Sequence, residues 1–342
     1  MGNTIEKRNT NSVALKIKLV KFFLSSEFMA VMFIIVLSLV AGAVNENFFS
    51  TYNILRMLRN CSFVGIVSIG QALIIMSGEM DLSTGAVGVF GSVIFGIMCI
   101  WDSYPVWLGL LVALLFCCLM GWLNGFLMLR VGVMKWVATL ATGSLCGGLA
   151  GWLCNGTPIE GLPEGMIDFA YITINPGEIF GRTGLSIFFI IFVALMIIAQ
   201  IVIRYTKYGR MIQACGISAD AAYMAGVNVV RVKWVTLVVV AISAFLATMF
   251  DCMRIGTIAL AAIDSFKSIA ACYIGGIGFV GSTGSMFGLF LGVILMQLLE
   301  NVMSALQWDS NAQIAMIGAL LMLVLTIDVF KRRYIASRID LL

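Results

Sequence analysis

The chain has no histidine, only 4 prolines among 342 residues, and charged side chains at 11% of positions. Without histidine there can be no Ser-His-Asp triad, no Cys-His nucleophile pair and no His-ligated zinc. The 9 cysteines lie mostly inside apolar runs, as at Cys61, Cys99, Cys117, Cys118, Cys146 and Cys272. None has C-x-x-C or other metal-ligand spacing, so they read as small packing residues and no metal site is expected. No glycine is followed directly by lysine, which excludes a Walker A phosphate loop. A chain of this kind that moves a solute with ATP must take the hydrolysis from another polypeptide. Gly276, Gly278 and Gly281 match G-x-G-x-x-G, but no βαβ unit surrounds them and they sit between apolar runs, so the dinucleotide reading fails.

What the sequence has is apolar length. Hydrophobic residues make up 61% and mean hydropathy is +1.05, far above soluble proteins. The sequence predicts an all-α integral membrane protein. Apolar runs near 28–44, 61–77, 83–101, 106–129, 136–153, 186–203, 234–250, 267–281, 284–305 and 311–330 give about ten transmembrane helices. Residues 1–27 are expected to form a cytoplasmic tail that touches lipid headgroups, not a cleaved leader; 28–330 form the membrane domain and 331–342 a second cytoplasmic tail.

Basic residues orient this plan. They cluster in the N-terminal tail (Lys7, Arg8, Lys16, Lys18, Lys21), in 204–233 (Arg204, Lys207, Arg210, Arg231, Lys233) and after Phe330 (Lys331, Arg332, Arg333, Arg338). Placing both termini and 204–233 in the cytoplasm requires an even number of spans on each side of that segment, and hydropathy provides six before and four after. The modest net charge of +4 follows from this layout and implies no nucleic-acid partner. The longest loop on the opposite side, 155–185, carries Glu160, Glu164, Asp168 and Glu178 against Arg182. It suits a soluble external partner or a plain solvated connector.

The polar segment 204–233 has helix-like spacing punctuated by Gly209, Gly216 and Gly226. Its centre is Asp220, Ala221 and Ala222, with Gly226 four residues on. Small residues let another backbone approach closely, and Gly226 can end a helix in the left-handed conformation. Such a knob at a membrane surface suits docking; an Ala/Gly-rich cytoplasmic loop is the plain alternative.

Glu79 to Ser83 interrupts an apolar stretch running from Cys61 to Trp101. Carboxylates at membrane depth need water, a counter-charge or backbone donors. Asp81 ahead of Ser83 and Thr84 can cap the following helix; alternatively Glu79, Asp81 and Ser83 lie along a solute path, as Glu300 and Asn301 could. Asp251 with Arg254 and Asp264 with Lys267 stand at i, i+3 and can neutralise one another. Glycines repeating every four residues (Gly143, Gly147, Gly151 and Gly284, Gly288, Gly292) read as helix-packing seams, with a dimer face as a further use. No strip of mid-span acids is present, as an ion-coupled secondary transporter, the competing class, would need. A membrane scaffold that transports nothing is a third reading.

Three blocks together resemble the permease subunits of ribose-, xylose- and galactose-type ABC importers. The first is Gly70-Gln71-Ala72 with Ser77-Gly78-Glu79-Met80-Asp81-Leu82-Ser83-Thr84-Gly85. The second is Asp220-Ala221-Ala222 with Gly226, preceded by Tyr208, Gly209 and Arg210. The third is Ser268-Ile269-Ala270-Ala271, Gly275-Gly276, Gly281, Gly284-Ser285, Gly288 and Gly292. They span about 50 to 330.

The resemblance implies two such subunits, identical or different, forming a channel for a monosaccharide or similar polar solute in a bacterial inner membrane. It implies a cytoplasmic ABC ATPase, carrying ATP and magnesium, docked through Gly209, Arg210, Asp220, Ala221, Ala222 and Gly226, and an extracytoplasmic solute-binding protein. The chain itself would hold no cofactor and catalyse no reaction. Lys267 stands where that family has an acid near Ile-Ala-Ala, and Val302 where Asn-Gly is usual. The resemblance therefore fixes the permease class more firmly than the solute, and a nucleoside or signalling molecule is the alternative cargo.

Overall fold

Helix α1 (Ser26–Val44) leads into α2 (Thr51–Met76), which starts ten residues earlier than hydropathy predicts. Ser50 caps α2 by accepting from the Asn53 amide at 3.3 Å, and the helix then runs through Arg56, Arg59 and Asn60. These polar residues do not break it because they face recesses between helices instead of lipid. The segment expected to be a connector, 45–60, is therefore largely helical. The computed structural model describes residues 26–175, 184–260, 265–278 and 284–339. Most of the N-terminal tail, Glu178, Arg182, Asp264, Gly281 and the last residues of the C-terminal tail lie outside these.

The chain continues through α3 (Thr84–Gly96) with a π turn Ile97–Trp101, α4 (Val106–Phe126) with a π turn Leu127–Val131, and α5 (Lys135–Leu153). A short α6 (Glu164–Tyr171) follows, then α7 (Ile187–Tyr205). The polar segment folds as two helices, α8 (Lys207–Ile217) and α9 (Ala219–Met224), before α10 (Val229–Ile255). The last helices are α11 (Ser265–Ile274), α12 (Met286–Ala305) and α13 (Ser310–Ile339). The run expected to span at 267–281 yields only the ten-residue α11, because Gly275 and Gly276 end it and Gly276 takes φ +82°.

Among the described residues seven helices are long and apolar enough to cross a membrane: those of α2, α3 with its π turn, α4 with its π turn, α5, α7, α10 and α12. Glu27–Ala43 and Ser310–Leu323 are shorter apolar stretches. Large apolar side chains face outward on α1 (Phe33, Leu39), α4 (Trp107, Leu115) and α7 (Ile197, Ile198), as lipid-facing surfaces do.

Helix α10 is the central post. Gly70 of α2 backs onto Val240 and Ser243, Gly88 of α3 onto Ala244 and Thr248, and Gly121 of α4 onto Leu237 and Ala241. Four two-residue strands break the otherwise all-helical plan. Ile159–Glu160 pairs antiparallel with Thr257–Ile258, and Thr173–Ile174 with Leu185–Ser186. These ladders and α6 order part of 155–185, which the sequence suggested was irregular.

Candidate functional site

The polar segment is anchored from both sides. The Thr206 hydroxyl donates to Val202 O at 2.5 Å and accepts from the Gly209 amide at 3.1 Å, turning the chain from α7 into α8. Gly209 is buried where any Cβ would strike the Val202 and Ile203 carbonyls, so glycine is required for that turn. Ser218 caps α9 through the Ala221 amide, 3.2 Å. At its end Gly226 adopts φ +84°, with its amide on Tyr223 O at 2.9 Å and the Val227 amide on Ala222 O at 3.0 Å.

Ala222 is buried, whereas Arg210, Asp220 and Ala221 are exposed. The tip is more apolar than the small-residue motif suggested: Ile217, Tyr223 and Met224 are 66%, 71% and 85% exposed. Sequence reasoning passed over these three, although bulky apolar residues in a polar segment were the signal. The Tyr208 hydroxyl donates to Val232 O at 3.0 Å, fixing α8 to the foot of α10. Burial, with Cys215 nearby, pushes the Tyr208 phenol up to about 12. Burial also raises the Cys215 thiol, against the pull of Lys233.

Beneath this segment lies the connector 77–83. Glu79 is 3% exposed. Its Oε1 accepts from Lys233 Nζ at 2.6 Å and its Oε2 faces Lys135 Nζ at 3.2 Å. Lys135 also donates to Gly78 O at 2.5 Å. Neither lysine was linked to Glu79 from sequence, although a buried acid requires a cation; Lys135 begins α5 and Lys233 is the fifth residue of α10. Asp81 Oδ1 accepts from the Ser83 amide and hydroxyl at 2.7 and 2.6 Å, while Asn124 donates to Ser83 Oγ at 3.0 Å. Gln71 donates to Asp81 O at 2.7 Å. Glu79, Asp81 and Ser83 are thus buried and internally bonded, and of this connector it is Leu82 that lines the cavity above.

That cavity holds about 760 Å³ between α2, α3, α5, α10, α11, α12 and α13. Two ion pairs line it: Arg254 with Asp251 at 2.7 Å, and Lys267 with Glu300. The sequence put Lys267 beside Asp264, which lies outside the described residues; across the helices Lys267 pairs with Glu300 of α12. Ser144, Ser265 and Gln297 add uncharged polar groups, as does Asn60, whose Oδ1 is buried without a hydrogen-bond partner. Asn301 borders an adjoining recess of about 350 Å³, which also takes in Asn60 and Glu300.

The two glycine rows differ. A Cβ on Gly284, Gly288 or Gly292 would collide with Ile277, Gly275 or Ala271, so this row seats α12 against α11 and the turn after it. Gly143 abuts Ser83, where a Cβ would stand 3.3 Å from Ser83 Cα, but Gly147 and Gly151 meet nothing within 4 Å in this chain. Their side of α5 is open. No group of three or more Cys, Asp or Glu side chains that could hold a metal occurs among the described residues.

Comparison with known proteins finds membrane permeases among the relatives of this chain. The chain is 27% identical over 338 residues to the fructose import permease of Rhizobium meliloti, covering 93% of this chain and 90% of that protein. It is 27% identical to the ribose import permease of Bacillus subtilis (86% and 89% covered). The xylose transport system permease of Escherichia coli K12 is 25% identical (84% and 87% covered). A family model described as branched-chain amino acid transport system / permease component matches residues 53–325, most of the chain. This chain is a multi-pass membrane protein that belongs to that permease family.

Proposed function

We propose that this chain is the membrane-spanning subunit of a binding-protein-dependent ABC importer for a monosaccharide, without enzymatic activity of its own. The observation that carries the solute class is the charge state of the cavity. Among the described lining residues the two cations and two anions are paired with each other, so this lining is neutral while staying polar. An amino acid zwitterion would need unpaired charges of both signs to replace its hydration. A neutral polyol needs hydroxyl-matching groups, and Asn60 Oδ1, Gln297 and Ser144 offer them. The names of the relatives, import permeases for fructose, ribose and xylose, support the same reading.

The exposed Ile217, Tyr223 and Met224 around Asp220 support docking of a cytoplasmic ATPase on 204–233, with ATP and magnesium held by that partner. On this reading Gly209, Ala222 and Gly226 shape the knob, and Arg210, Asp220 and Ala221 are presented to the ATPase. Both termini face the cytoplasm and ten segments cross the membrane, with α11 as a half-length element. The segment 155–185 receives an extracytoplasmic solute-binding protein. A second permease subunit completes the channel, and the open side of α5 at Gly147 and Gly151 is available to it.

The test is reconstitution in proteoliposomes with an ABC ATPase subunit and a solute-binding protein. ATP-dependent uptake of D-ribose, D-xylose or D-fructose, with none of L-leucine, is the expected result. Uptake of leucine alone would overturn the solute reading, and uptake that ignores ATP would overturn the ATPase reading.

A further inference from the structure

The ion cluster at Glu79 sits at the foot of three walls of the cavity. Lys233 is the fifth residue of α10 and closes the polar segment; Lys135 opens α5; Glu79 follows the end of α2. Each of these walls lines the cavity further along: α2 through Asn60 and Phe63, α5 through Gly143 and Ser144, α10 through Asp251 and Arg254. Gly78, next to Glu79, lies against α8, where a Cβ on it would stand 3.6 Å from Gly216 Cα. Three residues after Glu79, Leu82 forms part of the cavity surface, and Gly143 abuts Ser83 one residue later.

The chemistry of the cluster is unbalanced in a useful way. One carboxylate is shared by two ammonium groups, on two different helices, at 2.6 and 3.2 Å. Lys233 is 12% exposed and Lys135 51%, so the first bond is the sheltered one. Asp81 cannot relieve the cluster, because Ser83 and Asn124 occupy its oxygens. The connector is held rigid by the same bonds and by Gln71. A push on α8 and α9 therefore meets a stiff seven-residue link, not a slack loop.

We propose that Glu79 is a positioning residue that transmits displacement of 204–233 to the cavity floor, with Lys233 as its driven partner and Lys135 as the releasable one. The proposal rests on the ABC-importer reading. In one state Glu79 holds both lysines and the feet of α5 and α10 are clamped together. When the docked ATPase moves α8 and α9, Lys233 carries Glu79 and the connector with it. The exposed Lys135 contacts, to Glu79 and to Gly78 O, open together, and Leu82 and Ser83 shift against Gly143. Two discrete arrangements of one carboxylate between two cations give the differential contacts that coupling requires.

The test uses the full transporter, comparing solute moved per ATP hydrolysed in wild type, Glu79→Gln, and the charge exchange Glu79→Lys with Lys233→Glu. Glu79→Gln should retain the ATPase subunit on purification while solute moved per ATP falls by about 5- to 150-fold; the exchange should restore part of it through the 79–233 pair, since Lys135 then faces a lysine. Unchanged solute per ATP in Glu79→Gln, or no recovery in the exchange, would overturn the strut. Should Glu79→Gln fail to insert, Lys135→Gln at the exposed partner provides the same comparison, expected to be milder, and no change there counts against the strut. If wild type binds no ATPase, the importer reading fails instead. Hydrogen exchange then reads the strut directly: Lys233→Gln should speed exchange at 79–83 and 135–140, and equal rates would reject it.

Discussion

Asn53 and Asn301 exchange reciprocal amide hydrogen bonds, 2.9 Å from Asn301 Nδ2 to Asn53 Oδ1 and 3.2 Å in the other direction. The pair pins the first turn of α2 to α12, and Asn53 also donates to Phe48 O at 2.9 Å. Side-chain amides joined in this way inside an apolar bundle contribute about 1 kcal/mol, since the separated helices find other partners. Asn53→Ala, Asn301→Ala and the double variant should therefore show a coupling energy of about 1 kcal/mol in detergent unfolding. Additive effects of the two single variants would show that the bonds contribute nothing to the folded state.

Gly275 and Gly288 are in backbone contact, with a Cβ on Gly275 falling 2.5 Å from Gly288 O and 2.7 Å from the Leu289 amide nitrogen. No rotamer change relieves a clash with backbone. Gly288→Val and Gly292→Val should each lower stability by about 1–3 kcal/mol or more, as overpacking does. Gly147→Ala should not lower the unfolding midpoint of the isolated chain, since nothing lies within 4 Å of that position and alanine is the better helix former. Equal losses at all three positions would contradict the difference between the two rows.

Gly226 presents the opposite case: ample space and a demanding backbone. Its φ of +84° suits glycine, while open surroundings leave no clash to relieve. Gly226→Ala places an L-residue in the left-handed region at about 1–2 kcal/mol, confined to the end of α9. The variant should fold and insert normally but retain less ATPase subunit on purification. Gly226→Asn should be milder, because asparagine tolerates that conformation. Identical ATPase retention in all three proteins would remove Gly226 from the docking surface.

The membrane class was legible because burial in lipid imposes long apolar runs, and the spans at 106–129, 136–153 and 284–305 fell close to their helices. Hydropathy missed the first turns of α2 because it weighs side chains against lipid, whereas Arg56, Arg59 and Asn60 face recesses. It overextended α11 because Gly275 and Gly276 are apolar by scale yet end the helix. In the candidate site the cap at Gly226 and the tight turn at Gly209 could be foreseen, since both follow from local backbone chemistry. Partnerships between distant residues could not: Glu79 with Lys135 and Lys233, or Lys267 with Glu300, depend on how the helices are arranged in space. Asp264 was the nearer partner for Lys267 by spacing, and only packing of α11 against α12 brings Glu300 to it.

Tyr208 gives the polar segment a defined pH response. Its phenol is shifted from 10.0 to about 12 by burial, with the hydroxyl donating to Val232 O. Below pH 10 the folded and unfolded forms both keep the proton, so the contribution of Tyr208 is constant there. Between pH 10 and about 12 the unfolded form loses its proton first, and stability falls as pH rises. Unfolding measured across this window should show the decline in wild type and a smaller one in Tyr208→Phe. The same slope in both proteins would mean that the phenol is not held in its neutral form.

The Lys267–Glu300 pair keeps the cavity neutral, and each member can be removed without changing side-chain volume greatly. Glu300→Gln removes the carboxylate that faces the Lys267 ammonium of α11; Lys267→Met removes the ammonium that faces the Glu300 carboxylate of α12. Because the two groups are 23% and 18% exposed, each change should destabilise by less than the about 3–5 kcal/mol of a fully buried pair. The effect on solute choice has a definite sign. A cavity with excess positive charge attracts an anionic sugar acid, and one with excess negative charge repels it. D-gluconate should therefore inhibit uptake of the neutral sugar more strongly in Glu300→Gln than in wild type, and no more strongly in Lys267→Met. The double variant, neutral again, should return to the wild-type pattern. Equal gluconate sensitivity in all four proteins would mean that the pair lies off the solute path, and that the neutrality of the cavity does not set what passes through it.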